Sequence, residues 1–110
     1  MYFQKKGNKY NARTSFYNGV WYPSAKEAAY AAEIDMRVRA GELREWKRQI
    51  PIDLIVNGYK IGRYTIDFLE IDKNGGEMWT EVKGAETEAF RLRWKLFDAL
   101  YPERDKQIVK

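Results

Sequence analysis

A chain of 110 residues with 20 Lys+Arg against 16 Asp+Glu has room for a single domain with a modest core and a formal charge of +4. Its hydrophobic fraction of 45%, with 15% aromatic residues, excludes an intrinsically disordered chain. The absence of both cysteine and histidine excludes a disulfide framework, a thiolate zinc site, an imidazole metal ligand and the commonest general base.

Any metal bound here must therefore sit among oxygens, which suits Mg²⁺, Mn²⁺ or Ca²⁺. No apolar run approaches the ~20 residues of a membrane span, and no stretch reads as a secretory leader. A cytoplasmic protein with no membrane partner is expected.

The charge is unevenly spread. Residues 1–26 hold Lys5, Lys6, Lys9, Arg13 and Lys26 and no acid, leaving 15 basic and 16 acidic residues, a net −1, in 27–110. We read residues 1–14 as a basic N-terminal arm and 15–110 as one domain. Lys5, Lys6, Lys9, Arg13 and Lys26 are candidate contacts to the phosphates of DNA. A solvated tail is the plain alternative.

Beyond the arm, Ser15 to Tyr22 places aromatic and β-branched residues around Asn18-Gly19, a hairpin signal. Ser24-Ala25-Lys26-Glu27 matches a capping box, and Glu27 to Ala40 is rich in helix formers, with Gly41 as the stop. Ala31, Ile34 and Val38 form the buried stripe, and Glu27 lies at its head. That glutamate is either bonded back to the Ser24 amide or aimed at a site; the local residues leave both open.

Trp46 to Val56 alternates through Ile50, Ile52, Leu54 and Val56 as a strand, with Pro51 marking a sheet edge or a bulge. Asn57-Gly58 then turns the chain into a second strand, Tyr59 to Ile71. A strict two-residue turn would set Arg48 opposite Asp67, although Pro51 leaves that register open.

The turn material Asp72-Lys73-Asn74-Gly75-Gly76 leads to a third strand carrying Glu81-Val82-Lys83. Residues i and i+2 of a strand share a face, so Glu81 and Lys83 project together. With Asp67 opposite Glu81, Ile66 faces Val82, Phe68 faces Thr80 and Glu70 faces Met78. One face is then largely apolar, and the other gathers Asp67, Glu81, Lys83 and Trp79. A slip of one residue would bury the charges among Ile66 and Phe68. The favoured register requires an odd-length loop, such as three residues with Gly75 left-handed.

Ala85-Glu86-Thr87 reads as the cap of a helix from about Glu88 to Tyr101, whose stripe Phe90, Trp94, Phe97 and Tyr101 packs on the sheet. Pro102 ends it, and Gln107-Ile108-Val109 forms a last strand. Right-handed crossover makes residues 106–109 parallel to 77–83.

Two acids and a lysine on one face fit phosphodiester hydrolysis, which needs a metal to polarise the phosphate, a water, and a cation near the developing charge. Asp67 and Glu81 can offer carboxylate oxygens at about 2.1 Å to Mg²⁺ or Mn²⁺. The Val82 carbonyl is a candidate third ligand. Lys83 can orient the water or stabilise the transition state, and Glu27 can hold the water or a second metal.

In this order, a helix glutamate (Glu27), a strand aspartate (Asp67), then Glu81-Val82-Lys83, a helix and a strand, the chain resembles the PD-(D/E)XK nuclease superfamily. From Lys9 to Pro102 it looks especially like a small phage-encoded group similar to Holliday-junction resolvases. Ile66 stands where the motif has proline. The resemblance implies a restriction-endonuclease-like α/β fold, a mixed sheet flanked by helices. It further implies that Asp67 and Glu81 ligate metal, that Lys83 assists the water and that Glu27 completes the site.

The resulting expectation is a Mg²⁺-dependent DNA endonuclease acting on branched or flapped DNA as a homodimer, in the host bacterial cytoplasm if phage-encoded. The alternative is a non-catalytic DNA-binding module whose acids and lysine form a structural salt-bridge network.

Overall fold

The computed structural model describes residues 14–110. The basic residues Lys5, Lys6, Lys9 and Arg13 lie outside the described residues. Strands β1 (Ser15–Tyr17) and β2 (Val20–Tyr22) form a separate hairpin, followed by helix α1 (Ala25–Arg39) and strands β3 (Leu43–Val56), β4 (Tyr59–Asp72) and β5 (Glu77–Val82). Helix α2 (Glu88–Leu100) and strand β6 (Asp105–Val109) complete the chain. The second sheet runs β3-β4-β5-β6, antiparallel except that β6 is parallel to β5. This is the expected α/β architecture, a mixed sheet flanked by two helices. No helix among the described residues is long and apolar enough to cross a membrane.

Local chemistry sets the element ends. Asn18 and Gly19 adopt φ of 50° and 81°, Asn57 and Gly58 φ of 50° and 83°, and each pair closes a two-residue turn, Tyr17↔Val20 and Val56↔Tyr59. The Ser24 hydroxyl accepts the Glu27 amide at 3.1 Å. At the other end of α1, the Glu42 amide donates to the Arg37 carbonyl (2.9 Å) and the Gly41 amide to that of Val38 (3.0 Å), a Schellman closure with Gly41 at φ +83°. Strand β3 is longer than the sequence pattern implied and begins at Leu43. Pro51 lies opposite Thr65 on this edge strand, where a missing N–H costs nothing.

Between β4 and β5 the register is the expected one, Phe68↔Thr80 and Glu70↔Met78. The three-residue loop places Gly75 at φ +87°, and the Asp72 carboxylate accepts the Asn74 and Gly76 amides, both at 2.8 Å. Between β3 and β4, a shift at Leu54/Ile55 moves the pairing by one, so Arg48 faces Phe68 and not Asp67.

The expected division of faces does not hold. Both faces of the sheet are covered. Tyr64, Ile66, Leu69, Ile71 and Trp79 pack with Phe90 and Phe97 of α2, together with Ile50, Ile52 and Leu54. Phe68, Val82 and Leu43 pack with Ala28, Tyr30, Ala31 and Ile34 of α1, together with Trp46. Ile66 therefore parts from Phe68 and Val82.

The physical reason is an interruption shared by two neighbouring strands. In β3 the even-numbered Trp46 belongs to the α1 side and Ile50 to the α2 side. In β4 the even-numbered Phe68 belongs to the α1 side and Ile66 to the α2 side. Gln49 and Asp67 occupy the break, and Gln49 has φ +54°, a left-handed value that interrupts the pleat. Simple alternation carried across that point misplaces the side chains beyond it.

Candidate functional site

Because the pleat breaks at Asp67, its side chain is free to leave the regular ladder. The β4–β5 pairing ends at Phe68↔Thr80, and one residue further the Asp67 carboxylate accepts the Val82 amide at 2.9 Å. This bond brings the acid onto the main chain of the Glu81-Val82-Lys83 segment. Glu81 is buried beside the Tyr64 hydroxyl at the end of β5. Glu27, in the first turn of α1, approaches from the other layer. Lys83, just past β5, holds its ammonium 4.8 Å from the centroid of the Phe90 ring in α2.

The electrostatics are those of acids crowded in a poorly solvated place. Glu27, Asp67 and Glu81 retain only 8%, 8% and 6% exposure. Desolvation, reinforced by the Asp67 charge, raises the pKa of Glu27 from 4.5 to about 7 and that of Glu81 to about 8. Asp67 is also raised by desolvation, although the Val82 amide and the Lys83 charge oppose it. Glu27 Oε2 and Glu81 Oε1 are buried without a hydrogen-bond partner. The glutamate of the capping box thus does not close the box; its carboxylate points to the cluster.

A fourth buried acid is opposite in character. Glu70, 3% exposed, accepts from Tyr30, from Thr80 (2.8 Å) and from Arg37 (3.0 Å), while Gln107 donates to Thr80 at 2.9 Å. It borders a pocket of about 480 Å³ with Arg37, Asp72 and Gln107. Its oxygens are satisfied, as a structural carboxylate's must be. Against Glu70, Glu27 Oε2 and Glu81 Oε1 stand out as buried oxygens without a close hydrogen bond, with the Tyr64 hydroxyl beside Glu81 near enough to lower its pKa.

Among the described residues, no three His, Cys, Asp or Glu side chains form a group that holds a metal ion by themselves. The side-chain donors that could serve are the carboxylates of Asp67 and Glu81, while the Val82 main chain meets the site through its amide, which donates to Asp67. A hard cation such as Mg²⁺ commonly takes only one or two carboxylates and completes its shell with water and substrate oxygens. The orphan oxygen of Glu81 matches that need.

All four expected catalytic residues, Glu27, Asp67, Glu81 and Lys83, thus belong to one region, and Lys26 is exposed beside it. Two neighbours were not anticipated as site residues, Tyr64 and Arg48. The Arg48 guanidinium lies 4.4 Å from the centroid of the Tyr22 ring, and its charge lowers the pKa of both Glu27 and Asp67. The two-residue turn at Asn57-Gly58 suggested Arg48 opposite Asp67, a register that the shift at Leu54/Ile55 replaces with Arg48↔Phe68. Nothing in the local pattern flagged Tyr64, which reads as a core residue.

Residues 7–110 match the family described as Protein of unknown function (DUF1064). The chain belongs to the DUF1064 family. No curated protein and no solved structure matches it. The family match covers the candidate site and the arm only from residue 7, so Lys9 and Arg13 fall within it while Lys5 and Lys6 do not.

Proposed function

We propose that this DUF1064 chain is a metal-dependent DNA endonuclease that hydrolyses phosphodiester bonds. The observation that carries this reading is the meeting of Asp67 and Glu81 with Glu27 and Lys83, in which two buried carboxylate oxygens have no protein partner. Leaving such groups unpaired costs on the order of 1–3 kcal/mol each, and a hard cation with its waters removes that cost.

Asp67 and Glu81 would hold the ion. When bound, a divalent ion lends Lewis-acid polarisation of the phosphate. The remaining work falls to the chain. The Phe90 ring steadies the Lys83 ammonium at the rim, where its charge offsets the acids and then the negative charge that develops on the phosphate. Glu27 Oε2 is available to accept a hydrogen bond from the attacking water and so orient it. The helices over both faces exclude bulk water and strengthen each of these interactions.

The alternative, a DNA-binding module with a structural salt-bridge network, would pair Lys83 with Asp67 or Glu81. Among the described residues, neither pair comes within 4.0 Å. The deciding experiment is a cleavage panel of linear duplex, single strand, flap and four-way junction, each with Mg²⁺, Mn²⁺ or EDTA. Cleavage with either metal and none in EDTA supports the reading; tight DNA binding without any cleavage favours the module.

Ser15 pairs with Tyr22, whose ring carries Arg48, so the chain enters the described fold beside the site. On this reading Lys5, Lys6, Lys9 and Arg13 would contact phosphates flanking the cut. Deleting residues 1–9 is expected to flatten the salt dependence of DNA affinity. Each lost phosphate contact removes about 0.9 from the slope of log K against log salt, and an unchanged slope excludes the arm from the interface. The resolvase resemblance adds branched DNA as substrate and a homodimer as the active form. Sedimentation with a four-way junction should give a dimer on the DNA; a monomer would leave nicking but not resolution.

A further inference from the structure

We propose that Arg48 is a phosphate-contacting residue of this site, gripping the nucleic-acid backbone beside the carboxylates. The inference rests on the nuclease reading above and extends it to a residue of the edge strand β3.

The pleat breaks at Gln49, φ +54°, immediately after Arg48. Trp46, two residues before, lies on the α1 side of the sheet, and Arg48 follows it, over the ring of Tyr22. That ring is 2% exposed and stacks on Phe68, centroid to centroid 6.4 Å at 25°. The guanidinium plane is thus supported by a buried aromatic stack, which fixes the stem and leaves the fork of donors to bond elsewhere.

Its natural protein partners do not take those donors. Glu27 and Asp67 are near enough for the Arg48 charge to act on both. Among the described residues, however, Arg48 forms no ion pair within 4.0 Å, and its buried Nε has no acceptor. A guanidinium held beside two acids without pairing leaves a gap between opposite charges. An anionic oxygen that bridges to a cation on the acids fills such a gap, and the planar fork of arginine matches the oxygens of a phosphodiester. Lys83, over Phe90 on the α2 side, supplies the second cation, so two aromatic-supported positive charges act on Glu27 and Asp67.

The test compares wild type with Arg48→Met, which keeps an unbranched stem against Tyr22, and Arg48→Lys, which keeps the charge. Affinity for a labelled duplex oligonucleotide is measured over a salt series with Ca²⁺ and again in EDTA, alongside urea denaturation, and the slopes compared are those with Ca²⁺. Arg48→Met is expected to lower the log K against log salt slope by about 0.9, one phosphate contact, while Arg48→Lys retains the wild-type slope. A wild-type slope in Arg48→Met with a lowered urea midpoint assigns the arginine a structural role and overturns the proposal. If wild type cuts DNA and only the Arg48→Met slope fails to change, the Arg48 contact alone falls. If wild type neither binds nor cuts any substrate of the cleavage panel, the nuclease reading falls and this contact with it.

Discussion

Asp67→Asn is expected to lose metal-dependent cleavage by at least about 10²–10³-fold while keeping the fold. The asparagine carbonyl can still accept the Val82 amide that Asp67 accepts at 2.9 Å, so the junction of β4 and β5 retains its bond. What disappears is the charge. Without it the site loses a cation ligand, and Glu27 and Glu81 lose the neighbour whose charge raises their pKa. Metal-free Asp67→Asn should therefore be at least as stable as wild type near pH 8, and added Mg²⁺ should no longer raise its Tm. Asp67→Ala also removes the acceptor and strands a buried amide, at about 1–3 kcal/mol, so it mixes two effects that asparagine separates. Measured cleavage at the wild-type rate by Asp67→Asn would remove Asp67 from the site.

Much of the fold was legible because its boundaries rest on local chemistry. Asn18-Gly19, Asn57-Gly58 and Gly75 are residues that tolerate positive φ, and each turned the chain where expected. Ser24 and Thr87 each accept an amide at the start of a helix, and the aromatic stripe of α2 could only face a sheet. The β4–β5 register that brings Asp67 near Glu81 was legible from the turn and the apolar pattern, while the bond that joins Asp67 to the Val82 amide was not. The distribution of side chains between the faces was not legible, because it depends on the pleat break at Gln49 and Asp67. Gln49 is not a glycine, asparagine or aspartate, so no residue preference announces its left-handed backbone.

That break explains the site's composition as well. A regular β4 would commit Asp67 to one covered face and leave it a buried acid among apolar neighbours. The interruption lets its carboxylate reach the Val82 amide, and it sets Arg48 over Tyr22 on the α1 side. It also explains why Glu70 differs. Three residues further along β4, where the ladder is regular again, the acid meets Tyr30, Thr80 and Arg37 and is fully satisfied. The protein thus pairs one buried acid completely and leaves others open a few residues away, the pattern expected where stability is given up for function.

The open acids make stability depend on pH in an unusual direction. Glu27 and Glu81 have a pKa of 4.5 when unperturbed and about 7 and about 8 in the fold. Between those values the folded state binds more protons than the unfolded one, so stability falls as pH rises. The contribution is fully present below pH 4.5, is lost through the window up to about pH 8, and is constant above it. For Glu27 alone the loss is on the order of 3 kcal/mol, and Glu81 acts in the same direction. For a domain of this size the Tm in EDTA should drop by at least about 10 °C between pH 5 and pH 8.5. Mg²⁺ should reverse that drop, because a ligand of the folded state alone adds stability by mass action. Its stabilising effect should be larger at pH 8.5 than at pH 5.5, since the metal competes with protons for the same oxygens. Thermal unfolding over this range, with EDTA and with Mg²⁺, checks both signs. A Tm in EDTA that stays level or climbs from pH 5 to pH 8.5 would mean that Glu27 and Glu81 are solvated or paired in solution, and no cation-hungry cluster would remain at the break in the sheet.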